Sequence, residues 1–233
     1  MNITYVVNSN FSFYEKSTKV LFDSIDKIDP TRRNNFTVIV GESPYTETKY
    51  INSVKHCFVE YGGIDFTAAY YIACNQDQFK GYVFYTHDTV YMGPNFFNLV
   101  TKNFRGIHYK RLRTRWGMNI GLFRKDTFIR YKNILETLIF KKFDEETKRY
   151  YKVLGARYED IICRMVDDDS EIFEEQHISD TYQINDDEQY YQTDVDIYNT
   201  GVLRNIIYIP ELDFYKIKAN MGSIDHDKCV INL

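Results

Sequence analysis

The stretch Gly81-Tyr-Val-Phe-Tyr-Thr-His-Asp-Thr-Val-Tyr-Met-Gly93 limits the fold more than any other part of the chain. Tyr82 to Tyr85 is apolar and rich in β-formers, the pattern of a strand buried in a sheet. The apolar run stops abruptly at Thr86-His87-Asp88-Thr89. A carboxylate and an imidazole directly after a buried strand stand where open α/β sheets hold their ligands, at the carboxyl ends of the strands. Gly93-Pro94 then breaks the chain, and Asn95 to Leu99 reads as a helical turn.

The residues upstream supply the rest of such a sheet. Ile3 to Val7 predicts a first strand that ends in the polar turn Asn8-Ser9-Asn10. Ser12 to Ile28 has helical spacing, with Phe13, Val20, Leu21, Ile25 and Ile28 apolar. Phe36 to Val40 predicts a second buried strand, closed by Gly41, and strand, helix, strand is one unit of a Rossmann-like half. A further strand is expected around His56 to Val59, before Gly62-Gly63. Asp65 to Asn75 then predicts a helix with Asp65 as its N-cap.

Downstream, Phe104 to Tyr109 reads as a strand, followed by the basic cluster Arg111, Arg113 and Arg115. Arg forks suit phosphate oxygens, but a run of Arg also makes an ordinary solvated face. Asn119-Ile-Gly121 leads into an apolar strand. Lys125 to Phe140 has the periodicity of one helix, and Asp144 to Tyr151 continues as a charged helix broken at Gly155. A helix is expected over Ile161 to Met165, an acidic surface loop with room for one short element over Val166 to Gln189, and a late strand over Asn205 to Ile209. The tail around Asp225-His226-Asp227-Lys228 is polar. There is no internal repeat and no linker.

A chain of 233 residues suits one sizeable domain, here residues 1–233. Its net charge of −4 gives no basic footprint, which argues against nucleic acid as the partner. Cys57, Cys74, Cys163 and Cys229 form no close pair and read as reduced core thiols. No apolar run approaches the ~20 residues that span a bilayer. Met1 to Asn8 is too short and uncharged for a signal peptide. Together these point to a cytoplasmic protein without a transmembrane segment. Abundant Tyr, Phe, Asn and Ile match an AT-rich genome, bacterial or of a large DNA virus, in which case the compartment is the host cytoplasm.

Hydrophobic strand, Asp-bearing turn, apolar residues, then Gly resembles the nucleotide-sugar metal loop of GT-A fold glycosyltransferases. The usual Asp-x-Asp is represented by Asp88 alone, with Thr86 where the first Asp would stand. The likeness extends in order along the chain, through the first strand, the Asp loop, the Asn-x-Gly strand, the adjacent pair Glu159-Asp160 and the late His226. It is similar to the small soluble glycosyltransferase domains of large DNA viruses and to bacterial polysaccharide enzymes. It implies a single-domain α/β fold, a Rossmann-like three-layer sandwich on a mostly parallel central sheet.

The implied activity is transfer of a sugar from a nucleotide-diphosphate sugar, uridine-based, to a glycan hydroxyl, with inversion. Asp88 would anchor Mn²⁺ or Mg²⁺ beneath the diphosphate, and His226 would complete the metal shell once the donor is bound. Asn8 would lie near the base, Asn119 would orient the acceptor, and Lys228 would meet a phosphate. Asp160, with Glu159 beside it, would take the acceptor's proton. Each residue also has a plainer reading. Asp88 can cap a turn, Glu159-Asp160 can complement a helix dipole, and the tail can fray. His87 reads first as a structural donor and second as a contact to the nucleotide. A sugar nucleotidyltransferase is the rival enzyme, disfavoured by the lack of a Gly-rich basic loop after the first strand. A non-catalytic nucleotide-sugar or glycan binding module on the same fold is the rival outside enzymes.

Overall fold

A computed structural model describes residues 2–103, 110–112, 120–158, 171–173 and 206–217. The elements of the first half are β1 (Ile3–Asn10), α1 (Tyr14–Ile28), β2 (Phe36–Gly41), β3 (Glu47–Ile51), β4 (Val54–Phe58), α2 (Thr67–Cys74), β5 (Tyr82–His87), β6 (Val90–Met92) and α3 (Phe96–Asn103). Then come β7 (Lys110–Leu112), β8 (Ile120–Arg124), α4 (Lys125–Arg130), α5 (Lys132–Thr137), α6 (Glu145–Tyr158), β9 (Glu171–Phe173), β10 (Ile206–Ile209) and β11 (Phe214–Ile217).

The main sheet has eight strands in the order β3-β4-β2-β1-β5-β8-β7-β9. Its centre, β4-β2-β1-β5, is parallel throughout, while β3 and β8 run antiparallel to their central neighbours. Taken in chain order, the parallel strands lie third, second, first, fourth. This is the order of a Rossmann-like α/β half, and the direction of winding reverses between β1 and β5. A second, three-stranded sheet, β10-β11-β6, is antiparallel.

Side chains alternate across the central strands and build a core on each face. Tyr5 and Val7 of β1, with Phe84 of β5, pack with Leu21, Phe22 and Ile25 of α1, with Phe96 and Val100 of α3, and with Phe214 of β11. Val6, Val83 and Tyr85 pack on the opposite face with Ala69 and Ile72 of α2, Phe128 of α4 and Leu135 of α5. Each fully buried side chain of this size contributes roughly 1.5–3 kcal/mol.

Several elements depart from the sequence expectations. β1 runs on through Asn8, Ser9 and Asn10, because Ser9 and Asn10 pair with Val40 and Gly41 of β2. The polar turn is therefore the end of a strand. β3 was not expected. It forms a hairpin with β4 through Asn52 and Ser53, whose φ angles of 48° and 67° are those of a type I′ turn. Lys125 to Phe140 is two short helices, since Tyr131 leaves the helical region at φ −102° and ψ 13°. Both helices pack on α2. α6 continues through Gly155, which faces Phe66, so packing outweighs the ~1 kcal/mol glycine penalty. Cys57 is buried, but Cys74 is exposed, so only the first is a core thiol. No described helix is long and apolar enough to cross a membrane.

Candidate functional site

The carboxyl ends of β1 and β5 open on a cleft of about 250 Å³ lined by Asn8, Ser9, Asp65, His87, Asp88, Thr89 and Lys216, among others. It sits where the winding direction reverses, the position at which open α/β sheets bind ligands. A larger cavity of about 700 Å³ lies between β4, α2 and Glu136 of α5. Tyr61, Tyr70 and Tyr71 are among its lining residues, and none of that lining comes from the β1 and β5 strand ends.

Asn8 pairs in register with His87 across the β1–β5 ladder. Its side-chain amide is occupied by the backbone, donating to Ile64 O at 2.7 Å and accepting from Ala68 N at 2.9 Å. Ala68 is in the first turn of α2, where amides lack partners within the helix. Asn8 thus caps α2 from a neighbouring strand. Asp65, expected in that role, does not cap the helix.

Asp65 turns instead toward His87. Its carboxylate oxygen Oδ1 is 3.3 Å from His87 Nδ1, and its carbonyl accepts from the Tyr85 hydroxyl at 2.6 Å. Burial pushes the Asp65 carboxyl up, against the pull of Lys216 and Lys152. Burial, with Lys216 adding to it, holds His87 down at about 3, against the pull of Asp88. The ring is neutral near pH 7. A neutral imidazole meets a carboxylate through its N–H, so Nδ1 carries the proton and Nε2 presents a lone pair. That Nε2 is buried and has no hydrogen-bond partner among the described residues.

Asp88 faces the other side of the sheet, as strand alternation requires. Ser9 Oγ and Ser17 Oγ both donate to its Oδ2 at 2.6 Å. Its Oδ1 takes no hydrogen bond from the described residues. Ser17 lies on the buried face of α1, two turns before Ser24, whose Oγ accepts from Met92 N at 3.1 Å. These serines tie α1 to the segment after β5 at both of its ends.

Lys216 enters from β11, where it pairs with Val90. It shares an inward face with buried Phe214, so its stem leaves the core and its ammonium enters the cleft. Nζ donates to Thr89 Oγ1. The hairpin is anchored by Asp213, whose Oδ2 accepts from Asn95 N at 2.9 Å just ahead of α3. A Cβ on Gly93 would come within 2.1 Å of the Asp213 carboxylate, so a side chain there would push that carboxylate away from Asn95 N.

The structure therefore brings Asn8, His87 and Asp88 together. Asn119, Glu159, Asp160, His226 and Lys228 lie outside the described residues, as do Arg113 and Arg115. Among the described residues, no three His, Cys, Asp or Glu side chains converge on one point in the manner of a metal centre. The sequence reading missed Ser9, Ser17 and Lys216 and misassigned Asp65. One signal was available for Lys216: a lysine at the inward position of an alternating strand, Phe-x-Lys. No family model, curated protein or solved structure matches the chain.

Proposed function

We propose that this chain is a GT-A-type glycosyltransferase that moves a sugar from a nucleotide-diphosphate sugar, uridine-based, to a glycan hydroxyl. The observation that supports the reading best is the place of Asp88. It is held rigidly by Ser9 and Ser17 at the end of β5, beside the point where the sheet reverses its winding. A carboxylate fixed there with one oxygen bonded and the other available suits a hard cation that keeps most of its shell for water and phosphate. Asp88 would hold Mn²⁺ or Mg²⁺ through Oδ1. When bound, the ion supplies neutralisation of the leaving diphosphate.

The protein's own groups do the rest. Asn8 fixes the start of α2 and so the wall of the cleft. Neutral His87 offers Nε2 as an acceptor for a donor hydroxyl or amide. Asp160, or Glu159, takes the acceptor's proton as the sugar inverts. Asp88→Ala is expected to abolish sugar transfer and metal-dependent UDP binding while far-UV circular dichroism stays unchanged. Unaltered transfer by the variant would overturn the reading.

A binding module on the same fold is favoured by a different detail. Two hydroxyls on one oxygen make Asp88 a good structural anchor even without chemistry. Such a module would bind UDP-sugars in calorimetry and release no sugar or UDP over time.

A further inference from the structure

We propose that the cavity between β4, α2 and α5 binds a neutral oligosaccharide and serves as a glycan foothold separate from the cleft at the ends of β1 and β5. The inference rests on the reading of the chain as a glycosyltransferase with a glycan acceptor. The cavity's volume of about 700 Å³ is within the roughly 300–1,000 Å³ of small-molecule sites. Among the described lining residues, Glu136 and Lys141 are the ionised ones, and their charges are opposite. Such a lining favours a neutral guest.

The remaining groups suit a sugar. Tyr61 and Tyr70 meet edge to face, with ring centroids 5.4 Å apart and planes at 81°. The corner they form offers aromatic surface to the apolar C–H face of a pyranose. The Tyr70 hydroxyl donates to Glu136 Oε1 at 3.3 Å, and the Tyr71 hydroxyl to Gln78 Oε1 at 3.3 Å. Gln78 Nε2 in turn donates to Asn75 Oδ1 at 3.2 Å. Phenol oxygens keep lone pairs beyond these bonds, and a primary amide keeps a second N–H. Donors and acceptors ordered before a guest arrives match sugar hydroxyls, each of which both donates and accepts. Burial pushes the phenols of Tyr61, Tyr70 and Tyr71 up, so all three stay neutral hydroxyls near pH 7.

The cavity is a neighbour of the transfer cleft. Segment 59–64 borders both, with Val59 and Tyr61 in one lining and Ile64 in the other. This segment is held from two sides. Glu42 N donates to Tyr61 O at 2.8 Å, and Gly62 and Phe140 exchange both backbone bonds at 2.8 Å. A Cβ on Gly62 would come within 2.6 Å of the Phe140 ring, so glycine lets the chain after α5 close against the segment. Ile139 and Lys141, on either side of Phe140, thereby become cavity wall. A glycan held there stays beside the cleft between encounters, which raises its effective concentration at the transfer site.

The test is an array of neutral oligosaccharides, built from hexoses, N-acetylhexosamines and deoxyhexoses, probed with the epitope-tagged wild-type chain and with Tyr70→Ala. The wild type is expected to bind at least one glycan, and the variant to lose roughly 10-fold in that affinity while both bind UDP alike in Mn²⁺. Cys74 gives a local readout, because it lines the cavity and is exposed. An array-positive oligosaccharide should slow alkylation of Cys74 by iodoacetamide in the wild-type chain, followed by peptide mass spectrometry, whereas UDP should not. This arm stands even if Tyr70→Ala fails to fold. A wild-type chain that binds UDP but no glycan on the array would overturn the inference and leave the glycosyltransferase reading intact. Glycan binding that leaves Cys74 unprotected, or that a folded Tyr70→Ala retains in full, would do the same. Absence of both glycan and UDP binding would overturn both.

Discussion

Protonating His87 costs the folded protein more than it costs the unfolded chain. Burial of the ring, with the Lys216 ammonium adding to it, depresses its pKa from 6.5 to about 3. Below pH 6.5 the unfolded chain takes up a proton that the native cleft refuses. His87 therefore contributes stability that is complete above that pH and is lost as the pH falls toward 3. The slope approaches about 1.4 kcal/mol per pH unit. Asp65 pulls the other way, because its raised carboxyl protonates more readily in the folded state. His87→Asn keeps a donor toward Asp65 and cannot titrate. Urea denaturation of this variant between pH 4 and 7 is expected to show a flatter profile than the wild type; parallel profiles would refute the assignment. At this scale the sequence was half legible. His87 and Asp88 announced themselves as polar residues that end an apolar strand. Ser17 looked like any helical serine, and Lys216 is brought to Thr89 from 127 residues away. No local pattern records such a meeting.

Elements were legible where they are long and periodic. α1, β2 and β5 appear close to their expected bounds, because many apolar residues agree on one period. The short strands β6 and β11 were missed, since three or four residues carry too little alternation to outweigh chance. The split between α4 and α5 was also hidden, because the apolar spacing continues across Tyr131 and the break is a matter of how two helices lie on α2. The β3–β4 hairpin offers a direct test of turn chemistry. Ser53 adopts φ 67°, a left-handed conformation that costs a residue with a Cβ about 1 kcal/mol. Glycine has no such cost, and Asn-Gly is the preferred pair for this turn. Ser53→Gly should raise the melting temperature by about 2–4 °C. Calorimetry giving a lower value would mean that the serine side chain contributes more than its strain.

Across the whole molecule, protection follows position in the sheet. β2 is buried along its entire length, and β1 and β5 are covered by helices on both faces. β3, at the edge, is largely exposed. Native-state hydrogen exchange should therefore proceed first from β3 and last from β1, β2 and β5. Comparable protection of β3 and β2 would contradict this ranking. The sequence made the parallel centre visible through its continuous apolar runs, which fully buried strands require. The full strand order was not legible, because register and adjacency on the β8-β7-β9 flank depend on pairings between distant segments.

The union of β6 with β11 also sets an order of events during synthesis. β1, β2, β4 and β5 are all made within the first 87 residues, and their pairings close comparatively short loops. Asp213, by contrast, bonds an amide 118 residues earlier, so this closure comes late and at a greater entropic cost. A growing chain thus acquires its acidic wall, with Asp88 already clasped by Ser9 and Ser17, long before Lys216 leaves the ribosome. Until then the groove carries Asp65 and Asp88 without the Lys216 ammonium, which arrives beside Thr89 only with the last hairpin.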